Sequence, residues 1–277
     1  MTLWNDLPPL AEAARRPLPE TDPVLDALDP DSRAGVAAVW AERAESELGA
    51  GAVFAAVASG LFTASMPVEI VWLASRAVCD ELRHAEICRH VAARYSGVVP
   101  ARRPAIAPAR PAPRPSGAPA LDAGAHAILN GAINETIGSA FLSACLEEAT
   151  APLARAALRE LLTDETDHAR LGWAVLAASP EGGETRRVVT RRLPEMVTLA
   201  RSVWRARAAE LPAELPRGHG CLPGPAVAEL VDEALRALVL PGFAHVGIDP
   251  TAAAAALASD GSRYPVSLRL PHGRAPV

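Results

Sequence analysis

Apolar residues recur every three or four positions along most of this chain, which is the spacing of an amphipathic helix. Residues 31–61 follow this pattern, and Asp31 or Ser32 is a candidate N-cap, so the sequence predicts a first long helix there. After the turn in "ASMPVE", a second helix is predicted from Pro67, which suits a first helical turn, to about Tyr95. The segment "SGVVP" then ends the second helix.

A proline-rich segment, "PARRPAIAPARPAPRPSGAP", separates these two helices from the rest of the chain. Such a composition favours extended polyproline geometry, so residues 97–120 are predicted to be a long crossover that runs the length of a helix bundle. A flexible interdomain linker is the alternative. Further helices are predicted at residues 122–149, 152–178, 185–211 and 226–240, with a short one in "DPTAAAAALAS".

The composition of the chain favours helices over strands. Half of the residues are hydrophobic, only 4% are aromatic and alanine is abundant, whereas strands recruit aromatic and β-branched residues. We therefore expect an all-α protein built on a four-helix bundle with additional C-terminal helices. Its predicted parts are an irregular arm at 1–30, the bundle at 31–180 and a helical extension packed on the bundle at 181–277.

Charge and cysteine content exclude several classes of protein. The net charge of −5 is mild and the arginines are dispersed, so nucleic acid is not an expected partner. The N-terminus lacks the features of a signal peptide, and the most apolar stretch, residues 49–71, is interrupted by Pro67 and Glu69, so no membrane segment is expected. The four cysteines show no CxxC spacing, which fits a reducing, cytoplasmic location.

One short motif occurs twice in predicted helices. "VCDELRHAEIC" at 78–88 and "LTDETDHARLG" at 162–172 share the frame Asp-Glu-x-x-His-Ala. In each copy the glutamate and the histidine are three positions apart, so both side chains project from one face of the helix. A single Glu-x-x-His is common on helix surfaces, but two copies on apolar helices indicate paired ligands.

Two further acids lie in the middle of predicted helices among small apolar residues. Glu47 precedes Glu81 by 34 positions, and Glu135 precedes Glu165 by 30 positions. An ionised carboxylate inside a bundle is costly unless it is neutralised, paired or bound to a cation. Four glutamates and two histidines in a bundle core form a set that holds two iron or manganese ions. Glu42 and Glu45 compete with Glu47 for this place, and the alternative is that Glu47 is a solvated acid.

The two motif copies and the stretches around Glu47 and Glu135 resemble the ferritin-like di-iron carboxylate superfamily, and the resemblance covers about residues 35–178. "WAERAESELGAGAVF" and "CDELRHAEICRHVAARYSG" also look like a bacterial group of ferritin-like domain proteins in which a tryptophan precedes the first ligand by seven residues, as Trp40 precedes Glu47. The resemblance implies that each metal is held by three residues, with Glu81 and Glu165 as bridges. The implied sets are Glu47, Glu81 and His84 for one metal, and Glu135, Glu165 and His168 for the other.

The resemblance also implies a layer of carboxylates behind the histidines. Asp80 is expected to contact His168, and Asp164 to contact His84, because a metal-bound histidine passes its second N–H to a carboxylate. Arg83 is expected to neutralise these aspartates. The alternative is that both aspartates are ordinary surface charges of their helices.

Small residues near the predicted ligands are candidate pocket residues. Gly51, Gly131 and Gly138 lie three or four positions from a ligand glutamate, where glycine costs a helix about 1 kcal/mol relative to alanine. Either helices approach closely at these glycines, or a cavity beside the metals admits oxygen and a substrate. Cys88 follows His84 by one turn and is interpreted mainly as a small buried apolar residue.

The resemblance implies an O2-dependent di-iron oxidoreductase, a hydroxylase, desaturase or N-oxygenase, that acts on a small-molecule substrate. Its cofactors would be two iron ions, or manganese and iron, with no catalytic residue beyond the ligands. No flavin, nicotinamide or iron–sulfur motif is visible, so an external electron donor or reductase is expected, and a homodimer is possible. The alternatives are a ferroxidase or peroxide-scavenging protein and a non-catalytic metal-binding bundle.

Overall fold

The computed structural model describes residues 16–100 and 117–259 of the chain. Within these ranges 79% of the residues are helical and none forms a strand, which confirms the all-α class. The elements are α1 (Pro23–Asp26), α2 (Pro30–Thr63), α3 (Val68–Ser96), α4 (Pro119–Ala127), the π-helix π1 (Ile128–Glu135), α5 (Thr136–Glu148), α6 (Pro152–Ala178), α7 (Glu184–Glu210), α8 (Gly224–Ala234), π2 (Leu235–Val239), α9 (Leu240–His245) and α10 (Thr251–Ala258).

Three predicted segments fall wholly or partly outside the described residues. They are the first half of the N-terminal arm, most of the proline-rich crossover and the end of the C-terminal extension. The described part of the arm contains α1, so the prediction of an irregular arm is wrong there. Asp22 explains this helix, because its Oδ1 accepts hydrogen bonds from the backbone N–H groups of Val24 and Leu25.

The start of α2 differs from the prediction. Asp29 is the N-cap and accepts hydrogen bonds from the N–H groups of Asp31 and Ser32, at 3.0 and 2.9 Å, so the prediction of Asp31 or Ser32 as the cap was wrong. Pro30 takes the first helical position, where its missing N–H costs nothing. The next long helix, α3, ends before Gly97, whose φ of +74° is the left-handed conformation that glycine adopts easily.

The long helices pack side by side. α2 lies along α3, and α6 packs against α3, π1 and α5. The largest buried side chains of this part include Trp40, Phe54 and Leu61 from α2. α2 is also long and apolar enough to cross a bilayer, a test that core helices pass as well, and 44% of its most apolar window is buried.

The C-terminal part is attached to the first helices by a loop that enters the core. The carbonyl oxygen of Gly218 accepts hydrogen bonds from the N–H groups of Thr150 and Ala151, at 2.8 and 2.9 Å. Trp40 Nε1 donates to the carbonyl oxygen of His219, at 3.0 Å. α7 packs against α4 and π1 as well as against α8 and α10. The loop and α7 therefore bring the C-terminal helices against the elements that carry the candidate ligands.

Candidate metal centre

Four helical segments each contribute acidic or imidazole side chains to one interior site. Glu47 lies in the middle of α2, and Glu135 is the last residue of π1. α3 and α6 each supply a glutamate and a histidine one turn apart, because the repeated Glu-x-x-His spacing places both on one helix face. The structure thus brings together all six predicted ligands: Glu47, Glu81, His84, Glu135, Glu165 and His168.

The six side chains form two overlapping clusters, and within each cluster the ligand atoms lie within 4.8 Å of one another. Two glutamates, Glu81 and Glu165, belong to both clusters. The first cluster is completed by Glu47 and His84, and the second by Glu135 and His168. Each cluster therefore offers four ligand atoms to an ion, and the shared carboxylates lie between the two positions.

Both histidines present the same ring nitrogen to the shared carboxylates. His84 Nδ1 lies 3.3 Å from Glu165 Oε1 and 3.7 Å from Glu81 Oε2. His168 Nδ1 lies 3.1 Å from Glu81 Oε1 and 3.4 Å from Glu165 Oε2. These four side chains are buried, whereas Glu47 and Glu135 are half-buried. Glu47 and Glu135 are therefore the least enclosed members of the six.

Several of these buried atoms have no hydrogen-bond partner within the described residues. They are both carboxylate oxygens of Glu81, one oxygen of Glu165, and the Nδ1 atoms of His84 and His168. A buried polar atom without a partner is costly, and so many at one place require an explanation. A cation would satisfy all of them at once, since each is an atom type that binds metal ions. The donor set therefore fits a pair of metal ions.

The electrostatics of the metal-free cluster are those of a site that holds protons. Burial, together with the charges of Glu81 and Glu165, raises the pKa of Glu47 well above its ordinary value, and the same causes raise the pKa of Glu135. Burial alone would lower the pKa of His84, but the neighbouring carboxylates of Asp164, Glu165 and Glu81 raise it well above its ordinary value. Cations that enter the site would displace these protons.

The outward nitrogen of each histidine meets an aspartate of the opposite helix. His84 Nε2 lies 3.1 Å from Asp164 Oδ2, and His168 Nε2 lies 3.4 Å from Asp80 Oδ2. These are the cross-helix pairs that the family resemblance implies. Burial opposes ionisation of Asp164, but the hydrogen bond to His84 and the charge of Arg83 lower its pKa to about 2. The aspartate is therefore an anion that fixes the ring and its tautomer.

Two arginines neutralise the aspartates, and the sequence predicted only one of them. Arg83 donates to Asp80 Oδ1 at 2.7 Å and also pairs with Asp164. Arg76 lies 3.3 Å from a carboxylate oxygen of each aspartate and 2.9 Å from Asp167 Oδ2. The signal for Arg76 was present, because it precedes Asp80 by four positions and so shares its helix face.

The predicted pocket glycines have different surroundings. A Cβ on Gly131 would lie 2.5 Å from the backbone nitrogen of Gly172, and a Cβ on Gly172 would lie 2.2 Å from the nitrogen of Ala132. The backbones of π1 and α6 are thus in direct contact, so Gly131 permits close helix packing and does not line a cavity. The sequence analysis missed Gly172, the other half of this contact.

The remaining pocket candidates lie beside the ligands. A Cβ on Gly51 would lie 3.3 Å from Cβ of Glu81, which again indicates close packing. A Cβ on Gly138 would lie 3.5 Å from Glu135 Oε2, which is ordinary contact. Cys88 is fully buried, and burial together with the nearby Glu47 raises its pKa well above the usual thiol value, so it remains a neutral thiol.

Comparison with known proteins gives no match: no family model, no curated protein and no solved structure matches the chain. The chemistry of the site is therefore that of its own side chains. Their defining property is the pair of overlapping four-residue clusters that share Glu81 and Glu165.

Proposed function

We propose that the chain is a ferritin-like four-helix protein with a di-iron centre, and that it is an oxidoreductase that uses O2 to oxidise a small molecule. The observation that carries this proposal is the sharing of two buried carboxylates, Glu81 and Glu165, between two clusters of four ligands. A structural metal site needs one closed set of ligands. Two adjacent positions joined by carboxylates are suited to redox chemistry that uses both ions.

The donor set supports two divalent ions of the iron or manganese kind. Carboxylate oxygens and imidazole nitrogens suit these metals, whereas no cysteine belongs to either cluster. Four ionised glutamates carry four negative charges, which two divalent ions would balance. The aspartates behind the histidines do not enter this balance, because Arg76 and Arg83 pair with them.

Different residues of the chain would have different roles around the centre. Glu81 and Glu165 would bridge the ions, while the outer aspartates hold each imidazole in one orientation. Burial of the shared carboxylates and histidines excludes water from the inner side, and we infer that a ligand would reach the ions from the side of the half-buried Glu47 and Glu135. The bound ions would supply the electrons for O2 reduction, with a separate donor protein restoring them after each turnover.

Metal analysis and oxygen consumption test this proposal. We expect the metal-free chain to bind two Fe²⁺ per molecule and the loaded protein to consume O2 with candidate small molecules. A hydroxylated, desaturated or N-oxidised product would support the oxidoreductase. Deposition of ferric mineral would instead identify a ferroxidase, and bound iron that does not react with O2 would identify a non-catalytic bundle.

Three glutamate variants separate shared from unshared ligands. Glu81→Gln should lose both ions, because both clusters contain Glu81, whereas Glu47→Gln should keep the ion held by Glu135 and His168. Glu45→Gln is the matched control, since Glu45 is an exposed acid of the same helix and belongs to neither cluster. Retention of two ions by Glu81→Gln would refute the assignment of the shared ligands.

A further inference from the structure

A series of stacked side chains lies beside the candidate centre. One turn before Glu47, the guanidinium of Arg43 lies over two aromatic rings, with its Cζ 4.3 Å from the Trp40 centroid and 5.1 Å from that of Phe141. Phe141 belongs to α5 and contacts Trp204 of α7, with ring centroids 5.8 Å apart. The stack therefore crosses from α2 to α5 and then to the C-terminal part of the chain.

An ion pair returns the series to its starting helix. Arg207, one turn after Trp204, places its Cζ 5.5 Å from the Trp204 ring. Its Nη2 lies 3.0 Å from Glu42 Oε1 on α2. We call the closed series of Glu42, Arg43, Phe141, Trp204 and Arg207 the aromatic wall. Arg207 pairs with Glu42, and the buried Arg43 donates to the carbonyl oxygen of Gly220 at 3.0 Å.

The aromatic wall lies next to the unshared ligand Glu135. Gly138 separates the two, because its missing Cβ would lie 3.5 Å from Glu135 Oε2 and 4.0 Å from Trp204 Cζ2. The unshared ligands Glu47 and Glu135 are the half-buried members of the six. A molecule that approaches Glu135 past Gly138 would therefore meet the edge of the Trp204 ring.

We propose that Trp204 and Gly138 set the size of the molecule that reaches the metal centre, and that this molecule is small and apolar. The inference rests on the proposed di-metal function and adds the class of substrate. Two aromatic rings, Phe141 and Trp204, lie in contact beside Gly138 and Glu135. An apolar molecule loses little on leaving water for the faces of these rings.

Two substitutions should change the available space in opposite directions. Trp204→Ala removes the ring beside Gly138 and enlarges the approach. Gly138→Val fills the space between Glu135 and Trp204 while the ligands themselves stay unchanged. Because one or two methylene groups in an apolar pocket change affinity by roughly tenfold or more, both effects are large enough to measure.

The full chain loaded with Co²⁺ provides a test that does not require turnover. Pyridine and 4-phenylpyridine are neutral ligands of graded size, and their binding changes the visible absorption of Co²⁺. We expect Trp204→Ala to bind 4-phenylpyridine about tenfold more tightly than the parent chain, with the affinity for pyridine unchanged. Gly138→Val should bind pyridine about tenfold more weakly. Both variants should still hold two Co²⁺ per chain.

The Glu42–Arg207 ion pair lies at the surface, so a substitution there tests the inference without threatening the fold. Glu42→Gln should release Arg207 and increase the affinity for 4-phenylpyridine, in the same direction as Trp204→Ala. Glu45→Gln is the matched control, since Glu45 is exposed on the same helix and forms no ion pair among the described residues. It should leave the affinity unchanged.

The outcomes distinguish failure of this inference from failure of the proposed function. Suppose that the parent and all variants hold two Co²⁺, and that each variant binds each pyridine with the affinity of the parent. The aromatic wall then does not select by size, and the inference is overturned while the metal centre stands. If the parent chain binds no Co²⁺, the metal centre itself is overturned and the inference with it.

Discussion

Asp164 and Asp167 are neighbouring acids on α6, but only one of them contacts a histidine of the centre. Asp164 Oδ2 lies 3.1 Å from His84 Nε2, whereas Asp167 pairs with Arg76 and Arg170 on the outer face. The two positions therefore separate the effect of a carboxylate behind a ligand from the effect of a nearby negative charge.

Asp164→Asn should weaken metal binding by about 10–100-fold, since an amide cannot provide the anion that fixes the imidazole. Asp167→Asn should change the affinity far less, because no histidine depends on Asp167. Competition titrations with a chelator of known affinity would measure both constants. Equal losses in the two variants would mean that Asp164 acts only through its charge.

At single positions, the sequence predicts all six clustered residues because they differ strongly from most of their neighbours. Glu135 is an isolated acid, Glu47 precedes a run of small apolar residues, and the Glu-x-x-His motif occurs twice. Arg76 and Gly172 were missed for different reasons. Arg76 is one of many dispersed arginines, and the role of Gly172 depends on the backbone of π1, which lies far from it in sequence.

At the scale of secondary structure elements, the contact between π1 and α6 sets the position of Glu135. The two backbones meet at Gly131 and Gly172, and a Cβ on Gly172 would lie 2.2 Å from the nitrogen of Ala132. Backbone atoms cannot move aside as a flexible side chain can, so this contact requires glycine.

Gly172→Ala should destabilise the fold by roughly 1–3 kcal/mol or more, because π1 and α6 must separate to admit the methyl group. Gly35→Ala is the matched control: a Cβ there would meet nothing within 4 Å, and alanine should stabilise α2 by up to about 1 kcal/mol. Chemical denaturation of both variants would measure these changes. A Gly172→Ala protein as stable as the parent would show that the two helices can separate freely.

The helices were predictable and the π segments were not. Residues 152–178 were predicted as one helix and form α6, because Pro152 suits the first turn and the apolar pattern is regular. The helix predicted at 122–149 instead contains π1, which holds Glu135 at its last position. A π-helix has more residues per turn than an α-helix, and the apolar spacing does not mark where that change begins.

At the scale of the whole molecule, proton binding at the centre links stability to pH. The pKa of His84 is raised in the folded, metal-free chain, so its contribution to stability is full below the unfolded value of about 6.5 and is lost as pH rises through the folded pKa. The raised pKa values of Glu47 and Glu135 have the same effect on stability. Their contribution is full below the unfolded value of about 4.3 and is lost as pH rises through the folded pKa values. The pKa of Glu165 is lowered, so this residue contributes stability above the unfolded glutamate value. Its contribution is lost as pH falls from there through the folded pKa.

Metal binding should reverse the pH dependence of stability above about pH 6.5. The ions displace protons from Glu47, Glu135 and His84, so affinity rises with pH, and each tenfold gain adds about 1.4 kcal/mol to the stability of the loaded protein. We therefore expect the difference in melting temperature between Co²⁺-loaded and metal-free protein to widen by a few degrees between pH 6.5 and 8.5.

Thermal melts across this range, with and without Co²⁺, would measure the widening. Asp232→Asn is the control, because it removes a carboxylate paired with Arg201 outside the centre and should leave the pH dependence of the metal effect unchanged. A metal-induced shift that is constant or shrinks as pH rises would mean that the ions bind without displacing protons. In that case the six clustered side chains would not be the ligands, since ions cannot bind the raised-pKa glutamates and histidine without releasing their protons.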